Sequence, residues 1–191
     1  MVTGIILASA SPRREQLLQQ VRCEFRVLPS SAEENNEADL SPAELVQVHA
    51  LAKARDVAVQ VSPGDTIIGA DTIVVLDGKV YGKPGDEKVA CQMLSELSGR
   101  THSVWSGVAV IRDGMCFTDA VETRVTLSPL TSAQIRRYAA TGEPLDKAGA
   151  YADQGLGAVF VERIEGCYSN VVGLPLQVLS RLMSQAGVEL L

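Results

Sequence analysis

Two arginines occupy an electrostatically unfavourable place near the start of the chain. Residues 4–8 form a short apolar run of the kind that a buried strand needs. Ser11 and Pro12 then predict a helix, with Ser11 as its N-cap and Pro12 at its first position, so that Arg13 and Arg14 fall in the first turn. Cations at this positive end of the helix dipole cost roughly 0.3–1 kcal/mol each. A bound anion would offset that cost, because backbone N–H groups and guanidinium groups would converge on it.

A single carboxylate interrupts an otherwise apolar stretch. Asp71 lies within TIIGADTIVVL and must be paired, protonated or bound to a metal ion if that stretch is buried. A structural ion pair and a role in chemistry fit this position about equally well. Glu33 and Glu34 could join Asp71 in offering the oxygen ligands that Mg²⁺ or Mn²⁺ prefers, although an acidic loop is usually only solvated. Lys53 and Lys83 have the pattern of surface lysines.

A long, weakly periodic segment near the C-terminal third contains several polar groups. Residues 141–160, TGEPLDKAGAYADQGLGAVF, are glycine-rich and include Asp146, Lys147, Tyr151 and Gln154. Loops of this length in compact domains are usually functional or disordered, and the apolar and aromatic content favours an ordered one. Together with the two arginines and the buried carboxylate, this loop predicts a site for a multiply charged anion, with a phosphate chain as the best candidate.

Several common site types are disfavoured by the sequence. It has neither a G-x-x-x-x-G-K-[ST] loop nor a G-x-G-x-x-G motif after a strand, so a P-loop enzyme and a dinucleotide-binding fold are not expected. With only His49 and His102, a histidine-ligated metal centre is also unexpected. The cysteines show no C-x-x-C pairing, which argues against zinc and against a redox dithiol. They are Cys23, Cys91, Cys116 and Cys167.

Composition favours an ordinary globular protein. The chain has 191 residues, of which 46% are apolar, and a formal net charge of −6. This charge disfavours a nucleic-acid or membrane binder that acts through bulk positive charge, but it leaves room for a local basic pocket. The sequence shows no signal-peptide pattern and no apolar run near the ~20 residues of a membrane span. Scattered thiols fit a reducing compartment, so we expect a cytoplasmic protein.

Hydrophobic periodicity predicts helices and strands in alternation. We expect helices at 12–21, 42–61, 86–97, 132–140 and 176–186, and strands at 66–76, 79–81, 102–111, 115–127 and 157–164. Ser41 and Glu44 would form a capping box, and Asp77 with Gly78 a hairpin turn. Long strands paired by hairpins and accompanied by helices predict a mixed sheet with helices packed on it, and therefore an α/β or α+β class.

Several motifs in a fixed order carry a family resemblance. The motifs are LASASPRR, GADT followed by GKP, SGRTHSV, GEPLDKAGAYADQG and NVVGLP. Together they resemble the Maf family of nucleoside triphosphate pyrophosphatases over essentially the whole chain. The resemblance implies one domain over 1–191 with an α/β fold, in which a mixed twisted sheet is flanked by helices and two lobes surround a cleft, as in inosine triphosphate pyrophosphatases. It also implies hydrolysis of a nucleoside triphosphate to the monophosphate and pyrophosphate with Mg²⁺ or Mn²⁺ as cofactor.

The resemblance also implies roles for individual residues. Asp71 matches the proposed general base of the family, and Glu34 and Asp71 would hold the metal ion. Lys53 and Lys83 would line the cleft with Glu34. The phosphate-binding loop would contain Ser9, Ser11, Arg13 and Arg14.

The same comparison implies a pyrimidine substrate. The DKAGAY…QG pattern resembles the branch of the family that acts on dTTP and UTP, with specificity positions at Arg13, Thr72 and Gln154. Modified pyrimidine triphosphates are further candidates. Two alternatives stay open, namely a house-cleaning enzyme for non-canonical purine nucleotides and a nucleotide-binding regulator of cell division without turnover. The expected partner is the nucleoside triphosphate, and the oligomeric state stays open, with a homodimer among the options.

Overall fold

The computed structural model describes residues 4–36 and 39–190, which form seven strands and six α-helices. The strands are β1 (Ile5–Leu7), β2 (Phe25–Val27), β3 (Thr66–Leu76), β4 (Lys79–Tyr81), β5 (Thr101–Arg112), β6 (Met115–Leu127) and β7 (Val161–Glu165). The α-helices are α1 (Pro12–Gln20), α2 (Pro42–Ala58), α3 (Glu87–Leu97), α4 (Ser132–Ala139), α5 (Tyr168–Val172) and α6 (Leu176–Gln185). Three 3₁₀ segments lie between α4 and β7, at Glu143–Asp146, Ala148–Ala150 and Gly155–Phe160. In the described ranges, no helix is long and apolar enough to span a membrane.

The strands form a mixed sheet. Their order is β2-β1-β3-β5-β6-β7, and β4 pairs with β3 outside this path. Strand β1 runs parallel to both β2 and β3, whereas the β3–β4 and β6–β7 pairs are antiparallel. Helices pack against this sheet, as described below, and the predicted α/β class with a mixed sheet and flanking helices is confirmed.

The chain divides into two compact units. Unit 1 comprises Met1–Asp71, Ser106–Val121 and Gly173–Leu191, and unit 2 comprises Thr72–Trp105 and Glu122–Val172. Along the chain, the boundaries between the units fall within β3, β5 and β6 and directly after α5. That the whole chain acts as a single pyrophosphatase domain stays a prediction.

In unit 1, helix α2 lies directly against the sheet because two strand residues lack side chains. A Cβ atom at Gly69 of β3 would be 2.1 Å from the carbonyl oxygen of Ala50, and one at Gly107 of β5 would be 2.2 Å from that of Val46. Only glycine permits this approach of strand to helix backbone. The helix contributes three of the apolar residues in a core formed by Ile6, Ala8, Ala50, Ala54, Val57, Ile67, Ala109 and Ile111.

In unit 2, helices α3 and α4 supply much of the core. Leu94 and Leu97 of α3 and Ile135 of α4 are buried in one apolar cluster. The ring of Tyr138 packs edge-on against Phe160, with 5.1 Å between ring centroids. Burial of these side chains away from water is the main favourable contribution to the stability of the unit.

Local signals located most elements correctly. The predicted capping box of α2 is present, with Ser41 and Glu44 bonded reciprocally. The predicted strand at 157–164 is wrong over its first half, because Gly155–Phe160 is a 3₁₀ segment and β7 begins at Val161. The carboxylate of Glu143 accepts hydrogen bonds from the backbone N–H groups of this segment and so removes them from strand pairing. The short helix α5 was not predicted.

Candidate active site

Helix α2 and strand β3 bring two basic side chains onto the buried carboxylate of Asp71. Asp71 and Gly69 are two residues apart and share one face of β3, while His49 and Lys53 are four residues apart and share one face of α2. The Lys53 ammonium donates to Asp71 Oδ1 at 2.7 Å, and His49 Nδ1 lies 3.0 Å from Oδ2. Asp71 is only 3% exposed. The close helix–strand contact at Gly69 therefore positions this group.

A second carboxylate completes the cluster from the preceding loop. Lys53 Nζ lies 2.6 Å from Glu34 Oε1. Helix α2 also anchors this loop through Asp56, whose carboxylate accepts from the Ser30 hydroxyl at 2.8 Å. His49 Nε2 lies 3.3 Å from the carbonyl oxygen of Asn35. The helix thus fixes Glu34 and Asp71 on either side of one ammonium group.

Charges around Asp71 keep it ionised. Burial alone would raise its pKa, but the hydrogen bond from His49 and the charge and hydrogen bond of Lys53 outweigh burial, with a smaller contribution from Arg14. The pKa of Asp71 is therefore held well below its usual range. The same hydrogen bond raises the pKa of His49, against the opposing effect of burial. In the free protein, Asp71 is an anion that pairs with the Lys53 ammonium and is hydrogen-bonded to His49, and it is a poor proton acceptor.

The partners of Asp71 come from outside its own strand. The apolar run around Asp71 contains no partner for it, whereas the folded chain supplies Lys53 and His49. His49 is the residue that sequence reasoning missed, since it was considered only as a metal ligand. Its spacing of four residues from Lys53 on a helix was the available signal, because such residues lie side by side.

Arg14 makes hydrogen bonds to two other parts of unit 1. Arg14 donates through Nε to the carbonyl oxygen of Gly173 at 2.8 Å and through Nη1 to Ser9 Oγ at 3.0 Å. Ser11 is the N-cap of α1 as predicted, but its side chain makes no capping hydrogen bond; its backbone N–H donates to Ser9 Oγ at 3.2 Å. Arg14 therefore ties the start of α1 to a distant loop, and these hydrogen bonds oppose the cost of its place at the positive end of the helix dipole. Arg13 is half-buried in the same turn.

The predicted site residues are distributed over both units. Those in unit 1 are Ser9, Ser11, Arg13, Arg14, Glu34, Lys53 and Asp71. In unit 2, Thr72 is half-buried in β3, Lys83 is exposed between β4 and α3, and Gln154 is half-buried at the start of the last 3₁₀ segment. Their roles stay predictions.

The glycine-rich loop of unit 2 is ordered, as expected. Glu143 accepts from the backbone N–H groups of Leu156 and Gly157, both at 3.0 Å. Tyr151 is buried and its hydroxyl lies 2.8 Å from Nε2 of His102. Burial lowers the pKa of His102 to about 4, so its imidazole is neutral at pH 7. These contacts hold both sides of the segment that carries Gln154.

The unit 1 cluster fits a divalent cation that is shared with phosphate. The positively charged ammonium of Lys53 lies 2.6 Å from a Glu34 oxygen and 2.7 Å from an Asp71 oxygen. Mg²⁺ is usually bound by one or two carboxylates together with substrate phosphates. Over residues 4–36 and 39–190, no group of three or more His, Cys, Asp or Glu side chains is arranged to hold a metal by itself. The two carboxylates are therefore a partial site.

Comparison with known proteins identifies the family. The sequence profile of the family described as Maf-like protein matches residues 4–186. The chain belongs to the Maf-like protein family. It is 48% identical to a dTTP/UTP pyrophosphatase of Gloeobacter violaceus over 97% of each chain, and 48% identical to one of Dictyoglomus turgidum over 98% of each. Its structural alignment with a HAM1 protein of Coxiella burnetii has a TM-score of 0.48 and 17% sequence identity. The alignment covers 66% of this chain and 73% of the HAM1 chain.

Proposed function

We propose that this Maf-like protein hydrolyses dTTP and UTP to the nucleoside monophosphate and pyrophosphate, with Mg²⁺ or Mn²⁺, in the cytoplasm. The observation that carries the proposal is the near-full-length similarity to relatives named dTTP/UTP pyrophosphatase. The cluster of Glu34, Lys53 and Asp71 supplies chemistry that suits a phosphate chain, since it combines a cation with carboxylates that could share a metal ion with the substrate.

Asp71 is the proposed proton acceptor. Water would attack the α-phosphorus, its proton would pass to Asp71, the bond from the α-phosphorus to the bridging oxygen would break, and pyrophosphate would leave. The charge of Lys53 helps to lower the pKa of Asp71 in the free protein, and a divalent cation held by Glu34 and Asp71 would keep that pKa low. Proton transfer would therefore also depend on the cation lowering the pKa of the attacking water. A general base of this kind contributes about 10²–10⁴-fold to the rate.

Positive charge provides the rest of the proposed catalysis. Arg13, Lys53 and Lys83 would neutralise the phosphate oxygens, where negative charge grows in the transition state. Arg14 would act mainly by holding Ser9 and the start of α1, as its hydrogen bonds indicate. Glu34 and Asp71 would hold a divalent cation, which supplies further charge neutralisation at the phosphates.

Gln154 and Thr72 are the proposed readers of the base. A side-chain amide offers a donor and an acceptor together, so Gln154 can match the edge of uracil or thymine. A purine that left this amide unpaired would bind worse by roughly 1–3 kcal/mol for each unsatisfied group. We therefore expect dTTP and UTP to be cleaved well, and ATP, GTP and 7-methyl-GTP poorly.

The test is a comparison of kcat/KM for these five triphosphates, measured by pyrophosphate release. Gln154→Ala should lower kcat/KM for dTTP and UTP and narrow their advantage over GTP. Gln92→Ala, the same substitution at an exposed residue of α3, should change neither. A wild-type preference for a purine triphosphate would contradict the assignment, and binding without any pyrophosphate release would favour a regulatory role. An unchanged preference in Gln154→Ala would leave Thr72 and Arg13 as the readers.

A further inference from the structure

The ammonium group of Lys53 occupies an oxygen-lined position. Its Nζ lies 2.6 Å from Glu34 Oε1 and 2.7 Å from Asp71 Oδ1, and the carbonyl oxygen of Ala70 is 3.5 Å away. The Lys53 side chain is only 12% exposed and that of Asp71 only 4%. Three oxygens, two of them from carboxylates, form the kind of donor set that a hard divalent cation takes.

The Lys53 ammonium already neutralises part of the negative charge of this cluster without a metal ion. Glu34 and Asp71 supply two negative charges, Lys53 lies between them, and the second oxygen of Asp71 faces His49 Nδ1 at 3.0 Å. The positive charge of Arg14 also acts on Asp71. A divalent cation arriving alone would meet an ammonium group in its place and would be repelled by it. The free protein therefore offers a bare cation little attraction.

We propose that the Lys53 ammonium occupies, in the free protein, the position between Glu34 and Asp71 that a divalent cation takes when the triphosphate binds. The phosphates give the ammonium a new anionic partner, and its flexible four-carbon stem lets it move there. The cation consequently enters with the nucleotide and not before it. The exchange rests on the proposed function, because it needs a triphosphate to bind. The competition between the ammonium and the cation does not depend on the proposed function.

Binding of Mn²⁺ to the nucleotide-free protein tests the competition directly. Electron paramagnetic resonance measures free Mn²⁺, and the titration is done on the wild type and on Lys53→Met, which keeps most of the length of the side chain and removes its charge. We expect Lys53→Met to bind Mn²⁺ at least tenfold more tightly than the wild type. Lys79→Met is the matched control, because Lys79 also pairs with a carboxylate, Glu96 at 2.6 Å, and its loss should leave Mn²⁺ affinity unchanged.

A double variant locates the ion. In Lys53→Met/Glu34→Gln, the gain in Mn²⁺ affinity should disappear, because one of the two carboxylates is gone. A gain that persists in the double variant, or a folded Lys53→Met variant with wild-type Mn²⁺ affinity, would overturn the proposal. Circular dichroism establishes folding, and Lys53→Gln repeats the titration if Lys53→Met does not fold.

The wild type provides a test of the exchange that needs no substitution. The analogue α,β-imido-dTTP resists cleavage at the scissile bond. The wild type together with this analogue should bind Mn²⁺ at least tenfold more tightly than the analogue alone does. If the protein together with the analogue binds Mn²⁺ no more tightly than the analogue alone, the proposed exchange is overturned. If dTTP is not hydrolysed yet Lys53→Met gains Mn²⁺ affinity, the proposed function fails and the competition at Lys53 stands.

Discussion

The substitution Gly69→Ala is expected to disturb the active-site cluster from inside the sheet. The added Cβ atom would lie 2.1 Å from the carbonyl oxygen of Ala50 and 3.0 Å from the backbone nitrogen of Ala54. Both of these atoms belong to the backbone of α2, so no side-chain rotation can relieve the contact. To raise the shortest distance from 2.1 to 3.0 Å, the helix must withdraw by about 0.9 Å.

That displacement is large compared with the tolerance of the site. If His49 and Lys53 follow the helix, the Lys53–Asp71 distance grows from 2.7 to about 3.6 Å and the His49–Asp71 distance from 3.0 to about 3.9 Å. Both then exceed ordinary hydrogen-bond lengths. We expect the free energy of unfolding to fall by about 1–3 kcal/mol, and kcat/KM for dTTP to fall about 100-fold, as misplacements near 1 Å can cause.

Urea unfolding followed by circular dichroism measures the first effect, and pyrophosphate release measures the second. Gly107→Ala, whose Cβ would lie 2.2 Å from the Val46 carbonyl oxygen, should behave similarly. Gly4→Ala is the control, since its Cβ would meet nothing closer than 3.7 Å. If Gly69→Ala unfolds at the same urea concentration as the wild type and keeps its kcat/KM, the helix–strand contact does not position the cluster.

Three further substitutions test other parts of the site. Asp71→Asn removes the anion that Lys53 and His49 share and leaves Lys53 with Glu34 alone, so the free energy of unfolding should drop by about 3 kcal/mol and kcat/KM at least 100-fold. Wild-type turnover would remove Asp71 from the mechanism. Arg14→Ala loses its bonds to Gly173 and Ser9 and should lower the free energy of unfolding in urea by about 2 kcal/mol, whereas wild-type stability would show that these bonds do not stabilise the fold. The pKa of folded His102 is about 4 against an unfolded value of 6.5, so its stabilisation is complete above pH 6.5 and is lost as pH falls toward 4. Between pH 7.5 and 5 this loss is about 2 kcal/mol, and His102→Gln should show a correspondingly smaller fall.

Local chemistry explains why much of the fold was predictable. The bonds that start α2 join Ser41 and Glu44, which are three residues apart. The hairpin between β3 and β4 turns at Asp77 and Gly78, both with positive φ. Contacts between residues this close in the chain can be read directly from the sequence. The wrong strand start at 157 shows their limit, because the competing partner, Glu143, lies 14 residues before Gly157.

The contacts of the site depend on longer range. Asp71 meets Lys53 across 18 residues and His49 across 22, and Arg14 meets Gly173 across 159. Each pairing depends on how distant segments of the chain pack together, which short-range sequence patterns do not show. Family resemblance predicts Asp71 and Lys53 as site residues, but it could not show that Lys53 lies between two carboxylates.

The edge strands of the sheet, β2 and β7, affect how copies of this chain could associate. Strand β2, at one end, has three residues, and its Arg26 pairs with Asp65 at 3.2 Å. Strand β7, at the other end, has five residues, among which Arg163 and Glu165 pair at 2.6 Å. Short edges that carry charge are poor templates for a strand from another molecule. Copies of this chain that associate are therefore expected to do so through side chains, and not by joining their sheets edge to edge.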